Sequence, residues 1–277
     1  MQIRNVVALL TVVAAQFLPA GLPAAAPHTG AAADAPTEPV AVDSRAASQH
    51  IAIPAYFGIG PQWDQTVSLG SDSDVLIVNV ADGPGRQPRP DFRAAIQRAR
   101  LSGARVVGYV YTQFGARDLQ QVKSDIDRFN DWFGVDGVFV DNMGAQLNML
   151  PYYRELHDYI KSTPGGFIVA NPGVVPDPQY MDIADVLVIF EGSYDSYLTR
   201  APPDWVHEYP PQRFAHLVYD TDGASMGDAV RLSASRNAGY VYVTDGKLPW
   251  NWQNLPNYWP AEVEAVRQNC WSATGTE

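Results

Sequence analysis

Val186-Leu187-Val188-Ile189-Phe190 is continuously apolar and is followed directly by an acid, Glu191. The segment Val75-Leu76-Ile77-Val78 has the same unbroken apolar character. A strand with one face in water alternates apolar and polar residues, whereas a strand covered on both faces does not. These runs therefore predict buried strands of a parallel sheet.

Six further apolar runs lie along the chain, and amphipathic segments separate most of them. The eight predicted strands cover residues 51–56, 75–80, 105–111, 137–140, 167–170, 186–190, 214–219 and 239–243. Helical patterns cover residues 91–101, 118–133, 147–160, 224–236 and 261–269. This alternation indicates βαβ units, whose right-handed crossovers close into a single (β/α)8 TIM barrel when repeated eight times. An open doubly wound sheet is the alternative, but Gly58-Ile59-Gly60 lacks the third glycine of a dinucleotide-binding loop.

Composition restricts the partners of the 277-residue chain. Its formal net charge of −11 disfavours nucleic acid and anionic membranes, so we expect a neutral or cationic partner. One cysteine, Cys270, excludes an intrachain disulfide and a Cys-based zinc site. The histidines lack metal-ligand spacing, and we predict neither a metal nor a cofactor.

The amino-terminal segment has the layout of a secretory signal peptide. Arg4 precedes an apolar stretch, and small residues surround Ala24-Ala25-Ala26. A membrane anchor is the alternative, but Gln16, Pro19 and Gly21 interrupt the run before it is long enough to span a bilayer. We predict a signal peptide over 1–26, a flexible linker over 27–49, the barrel over 50–271 and a tail over 272–277. The mature protein is then a secreted, extracellular monomer without stable membrane insertion.

Polar residues stand at the predicted carboxyl ends of the strands, where parallel barrels bind their ligands. They are Tyr56, Asn79, Tyr111, Asp141, Asn171, Glu191, Asp220 and Asp245. Turns favour Asp and Asn for backbone reasons, so an ordinary turn role is the alternative for each. Glu191 is different, because Glu is a poor turn former and follows five apolar residues, an environment that raises the pKa of a carboxyl group.

Asp141 and Glu191 lie on strands separated by one neighbour and are predicted to face each other across the barrel mouth, the rim formed by the carboxyl ends of the strands. Glycoside hydrolases use two carboxyl groups that face each other across the scissile bond. One protonates the leaving oxygen, and the other is the nucleophile or the base. Glu191 is the predicted acid and Asp141 the predicted nucleophile or base, although the roles are open to exchange. The alternative is that both acids only bind loop amides.

Aromatic residues near the strand ends suit a sugar ligand, because flat apolar faces stack on pyranose rings. Trp250 is the preferred contact among them, and Tyr219 belongs to the same predicted surface; ordinary core packing is the alternative. The other aromatic residues of this set are Tyr56, Trp63, Tyr109, Tyr111, Tyr194, Tyr197, Trp252, Tyr258 and Trp259.

Five short segments, in order at successive strand ends, resemble the spherulin 4-like (spherulation-specific family 4) proteins, which include glycoside hydrolase family 135. They are Ile53-Pro54-Ala55-Tyr56-Phe57, Gly108-Tyr109-Val110-Tyr111-Thr112, Asp136-Gly137-Val138-Phe139-Val140-Asp141, Asn171-Pro172-Gly173 and Phe190-Glu191. The resemblance implies a (β/α)8 barrel, secretion, and endo-cleavage of an α-1,4-linked galactosamine or N-acetylgalactosamine exopolysaccharide.

Within this resemblance, the family's strand-four Asp falls on Asp141 and its later Glu on Glu191. The acid that usually follows the strand-four Asp is replaced by Asn142, which can form a hydrogen bond to the substrate but cannot shuttle a proton. Two hypotheses follow. Either the remaining pair hydrolyses the polysaccharide, or the chain is a non-catalytic carbohydrate-binding relative.

Overall fold

Eight parallel strands form a closed barrel in the computed structural model, which describes residues 49–69 and 74–269. The last strand pairs with the first through His50 opposite Tyr240 and Ile51 opposite Val241, which closes the sheet. The structure confirms the predicted single (β/α)8 barrel. Strands β1 to β8 cover His50–Ala55, Val75–Val78, Arg105–Tyr111, Gly137–Asp141, Phe167–Ala170, Val186–Ser193, Phe214–Tyr219 and Tyr240–Val243.

Seven α-helices of the described chain surround the barrel. Helices α1 to α7 cover Pro61–Leu69, Pro90–Leu101, Leu119–Arg128, Leu150–Lys161, Tyr194–Thr199, Met226–Ser235 and Trp259–Gln268. The sequence pattern does not predict α1 and α5, because helices of nine and six residues have too few turns to show a clear period. Only a 3-10 turn, Pro178–Asp182, stands between β5 and β6.

The predicted helix over 118–133 divides into two parts. Asp118 caps α3 by accepting a hydrogen bond from the Gln121 N–H, and α3 continues into a π-helical turn, Phe129–Phe133. Phe129 then packs on Gly108 of β3, where a Cβ atom would lie 2.4 Å from its ring. The close approach of helix to strand thus requires glycine at this position.

Several predicted segments fall outside the described residues. These are the signal peptide over 1–26, the tail over 272–277 and the linker over 27–49 except its last residue. That residue, Gln49, is buried, and its Nε2 donates to Ser233 Oγ at 2.7 Å and to Ala238 O at 2.8 Å. Within residues 49–69 and 74–269, no helix combines the length and the apolarity that crossing a membrane requires.

Candidate active site

Asp141 ends β4, and three side chains donate hydrogen bonds to its carboxylate. Tyr109 Oη and Asn142 Nδ2 each lie 2.8 Å from Oδ2, and Asn171 Nδ2 lies 2.8 Å from Oδ1. Tyr109 comes from the neighbouring strand β3, where it stands opposite Phe139. Because Phe139 and Asp141 share one face of β4, Asp141 stands above a packed interior layer, at the barrel mouth.

Glu191 enters the same mouth because β6 contains a bulge. Val188 stands opposite Ala215 of β7, and Glu191 stands opposite Leu217, so β6 uses three residues where β7 uses two. In a regular strand, Val188 and Glu191 would lie on opposite faces of the sheet. The extra residue puts both on the inner face.

The same bulge turns Phe190 outward. Phe190 stands opposite His216, and its ring packs against Tyr197 of α5 with centroids 4.5 Å apart. Gly192 leaves room for this ring, because a Cβ atom there would lie 2.8 Å from Phe190. Outer packing on the helix layer therefore accompanies the inward turn of Glu191.

Asn171, just past β5, joins the two carboxyl groups. Its Nδ2 donates to Asp141 Oδ1 at 2.8 Å and to Glu191 Oε2 at 2.6 Å. The sum of the 2.8 Å and 2.6 Å distances, 5.4 Å, is the largest possible separation of the two bonded oxygens. One buried amide thus holds two acids at short spacing.

Burial raises the pKa of both carboxyl groups. For Glu191, burial and then the negative charge of Asp141 raise the pKa to about 7, although hydrogen bonds from Asn171 and Trp252 oppose this rise. Burial raises the pKa of Asp141 too, while the three donors described above favour its ionised form. Asp141 therefore loses its proton first, and Glu191 keeps the second proton to near neutral pH.

Two tyrosines, Tyr56 and Tyr109, lie beside Asp141, and Tyr109 donates a hydrogen bond to it. Tyr56 packs edge-on against Tyr109 with ring centroids 5.6 Å apart. Burial, followed by the charge of Asp141, raises the pKa of both phenols, so both hydroxyls stay protonated. The sequence pattern marks Tyr109 as one of the aromatic residues near the strand ends and does not predict its hydrogen bond to Asp141. Tyr109 lies two residues before Tyr111 and therefore shares its face of β3, and this spacing identifies Tyr109 as a second residue facing the mouth.

Trp252 lies beside Glu191, whereas the sequence pattern favours Trp250 as the sugar contact. The Trp252 side chain forms a hydrogen bond to Glu191 and packs edge-on against Tyr219, with ring centroids 6.0 Å apart. Burial, and then the charge of Glu191, raises the pKa of Tyr219. Trp250 is 55% exposed on the loop after β8, and its contact with a sugar stays a prediction.

Two predicted acids at the rim bind neighbouring loop residues. Asp220 Oδ1 lies 2.8 Å from Lys247 Nζ, and Asp245 Oδ2 accepts a hydrogen bond of 2.6 Å from Asn257 Nδ2. The Asp220 N–H also donates to Gly246 O at 2.9 Å, which ties the loops after β7 and β8 together. These contacts match the ordinary turn role, which is the alternative to substrate binding for both residues.

Asn79 and Tyr111 also have contacts within the protein. Asn79 Oδ1 accepts a hydrogen bond of 3.0 Å from the Gly83 N–H. The guanidinium of Arg117 lies 4.3 Å from the centre of the Tyr111 ring, and Arg117 Nη1 donates to Tyr111 O at 3.0 Å. Tyr111 stands opposite Asp141 in the sheet, so it belongs to the same rim.

Asn142 adopts a left-handed backbone conformation with φ of 50°. Asn and Asp tolerate this region better than most residues, whereas Glu does so poorly. The Asn142 amide therefore orients Asp141 from a position that suits a short polar side chain. The described residues contain no group of three or more His, Cys, Asp or Glu side chains able to hold a metal ion.

Comparison with known proteins shows the family. The model of the spherulation-specific family 4 matches residues 50–266. The chain belongs to this family. As a family 4 member it is 29% identical over 229 residues to Spherulin-4 of Physarum polycephalum, a match that covers 77% of this chain and 69% of Spherulin-4.

Solved structures share the barrel of this family 4 protein. The crystal structure of Aspergillus clavatus Sph3 in complex with GalNAc has a TM-score of 0.70 at 22% identity, over 80% of this chain and 98% of Sph3. Alpha-L-fucosidase isoenzyme 2 of Paenibacillus thiaminolyticus has a TM-score of 0.50 at 13% identity, over 80% of this chain and 48% of the fucosidase. These similarities show a common fold.

Proposed function

We propose that the protein is a secreted endo-acting glycoside hydrolase of an α-1,4-linked galactosamine or N-acetylgalactosamine exopolysaccharide. The observation that carries the proposal is the pair of acids on one amide, with bonded oxygens no more than 5.4 Å apart, the sum of 2.8 Å and 2.6 Å. This bound concerns the two bonded oxygens; it supports a retaining enzyme, whose carboxyl groups are about 5 to 5.5 Å apart, over an inverting one, whose carboxyl groups are about 6.5 to 9.5 Å apart.

In this mechanism, Glu191 is the general acid and Asp141 the nucleophile. Glu191 gives its proton to the glycosidic oxygen while Asp141 attacks the anomeric carbon, so that the glycosidic bond breaks and a glycosyl–enzyme bond forms. Glu191 then takes a proton from water, which attacks the same carbon and releases Asp141. The pKa of about 7 for Glu191 and the ionised state of Asp141 match these roles.

The proposed substrate rests on family membership and on charge. Sph3, which shares the fold, was crystallised with GalNAc. A polymer with free galactosamine amines is cationic and is attracted to a chain with a net charge of −11. Tyr56, Tyr109 and Tyr219 line the mouth with rings and hydroxyls, which are suited to stacking on and hydrogen bonding with sugars.

A non-catalytic carbohydrate-binding protein is the second candidate function, and Asn142 is the observation that favours it. If turnover needs an acid at this position, the chain binds the polysaccharide without cleaving it. Asn142→Asp tests this, because Asp accepts the left-handed backbone. Activity that appears only in this variant would assign the binding role to the natural chain.

The decisive experiment measures the release of reducing ends from partially deacetylated galactosaminogalactan. We expect Glu191→Gln to lower the rate by about 10²- to 10⁴-fold and Asp141→Asn by at least as much. Asp158→Asn and Glu155→Gln, on the exposed side of α4, are matched controls. Equal rates in the parent and both site variants would overturn the assignment.

The stereochemistry of cleavage, the secretion of the protein and its monomeric state have separate tests. Proton NMR of the first product should show the α-anomer, and an initial β-anomer would exclude Asp141 as nucleophile. Secretion predicts that the mature protein in the medium begins near residue 27, which amino-terminal mass spectrometry checks. Size-exclusion chromatography with light scattering tests the proposed monomer.

A further inference from the structure

A cavity lies outside the barrel wall, between β6, β7 and the helix layer. Its volume is about 290 Å³. Its wall includes Phe190 and His216 on the outer face of the two strands, Tyr197 of α5, and Arg236 just after α6. Phe190 and Glu191 point to opposite sides of β6, and neither Asp141 nor Glu191 lines this cavity.

Arg236 is the unusual group in this wall. It is 9% exposed, its Nη1 donates to the Tyr197 carbonyl oxygen at 2.5 Å, and its guanidinium lies 4.5 Å from the centre of the Tyr197 ring. In the part of the chain that the structure describes, no Asp or Glu oxygen lies within 4.0 Å of the Arg236 guanidinium, the distance limit for an ion pair. Burial of a cation is costly unless an anion compensates it. Arg236 thus faces the cavity without a counter-charge from these residues.

His216 adds a neutral imidazole to the same wall. Burial, and then the charge of Arg236, lowers the pKa of His216 to about 3, so the ring is neutral at physiological pH. Its Nδ1 lies 2.6 Å from Tyr197 Oη. Burial raises the pKa of Tyr197, so this hydrogen bond joins two neutral side chains.

The remaining polar lining has the same character. Arg200 and Thr199, exposed residues at the end of α5, bring a second guanidinium and a hydroxyl to the cavity, and the lining contains no Asp or Glu. Ile189 and Pro202 add apolar surface. The site therefore offers donors and positive charge on one part of its wall and apolar contacts on another.

We propose that this cavity binds a small organic carboxylate, whose two oxygens pair with the guanidinium of Arg236 and whose body packs on the apolar wall. A planar carboxylate matches the fork of an arginine. One buried cation balances a monoanion, and the volume of about 290 Å³ exceeds what an inorganic ion needs. The apolar contacts favour an organic body over a free phosphate or sulfate.

Calorimetric titration of the full chain with sodium glucuronate and sodium benzoate tests the proposal. Glucuronamide, which has the shape of glucuronate without its charge, and inorganic phosphate are the comparison probes. We expect saturable binding of at least one carboxylate with Kd at or below about 1 mM, and at least tenfold weaker binding of glucuronamide and phosphate. Binding should be equal in the parent and in Asp141→Asn, because the hydrolytic pair is not involved.

Variants then locate the site. Arg236→Met should weaken carboxylate binding by about tenfold or more, and Arg236→Lys should weaken it less. Arg200→Gln changes an exposed residue and should weaken binding about two- to fivefold even if Arg236→Met fails to fold. Absence of saturable carboxylate binding, equal binding of glucuronamide, tighter binding of phosphate, or unchanged binding in both Arg236→Lys and Arg200→Gln would each overturn the proposal.

Discussion

Replacing Asp141 by Asn removes the negative charge nearest to Glu191, and we expect the pKa of Glu191 to fall. In the parent, burial and this charge raise that pKa to about 7. Asn has nearly the shape of Asp, so Asp141→Asn changes the charge and leaves the burial of Glu191 in place. The variant therefore isolates the electrostatic part of the coupling.

The separation of the two acids sets the magnitude. With bonded oxygens at most 5.4 Å apart, the sum of 2.8 Å and 2.6 Å, and an effective dielectric constant of about 20, Coulomb's law gives about 3 kcal/mol, which corresponds to about two pH units. Each charge is shared between two oxygens, of which the second lies farther away, and both residues are partly exposed, so we expect a smaller effect than this value for two point charges. We expect the pKa of Glu191 to fall from about 7 to between about 5 and 6.

Carbon-13 NMR of the glutamate carboxyl groups measures this pKa directly, without any need for activity. The signal assigned to Glu191, identified by its loss in Glu191→Gln, is followed from pH 4 to pH 9 in the parent and in Asp141→Asn. Asp220→Asn is the control, because Asp220 is a rim acid paired with Lys247. A Glu191 midpoint that stays near 7 in Asp141→Asn, or that moves equally in Asp220→Asn, would refute the proposed coupling.

Three further variants test the surroundings of the pair and the core. Tyr109→Phe removes a 2.8 Å donor to Asp141, so the pKa of Asp141 should rise and kcat/KM should fall by about tenfold or more, with its acid limb moved to higher pH in a pH–rate profile. Burial raises the pKa of Glu262 well above its ordinary value, so the parent loses stability as pH rises from the unfolded pKa near 4.5 towards the folded pKa. In urea unfolding, Glu262→Gln should therefore be at least as stable as the parent at pH 7. At pH 4 the stability of the parent should increase relative to that of the variant. Arg117→Met removes the 2.5 Å partner of buried Asp125, which keeps the more exposed Arg128 at 3.2 Å, and should lower the free energy of unfolding by about 1.5 to 3 kcal/mol; a loss below about 0.5 kcal/mol would show that Arg128 and solvent compensate the charge.

The barrel follows from patterns that are local in the chain. All four residues of β2 are buried, as the unbroken apolar run predicts for a strand covered on both faces. Long amphipathic helices such as α3 show their period in the sequence, although the π-helical turn that ends this segment does not. The short helices α1 and α5 carry too few turns for a pattern, and they form because the barrel surface offers apolar contacts.

Part of the candidate site is also predictable from patterns that are local in the chain. Parallel strands bring their carboxyl ends to one rim, so a list of strand-end residues contains Asp141, Asn171 and Glu191 without any coordinates. The bridging role of Asn171 does not follow from that list, because it depends on distances across three strands. Trp252 is likewise a contact made by a loop, and its place depends on how the segment after β8 packs.

Amino-acid pattern alone accounts for the ring of strands and for the acids at its rim, since both follow from alternation and strand direction. The direction of Glu191 does not, because regular alternation from Val188 would point this side chain towards the helix layer. One extra residue in β6 reverses it, and that bulge accompanies the packing of Phe190 against α5, a contact between segments that no local pattern encodes. Tertiary packing therefore decides that the two carboxyl groups share one amide at the barrel mouth.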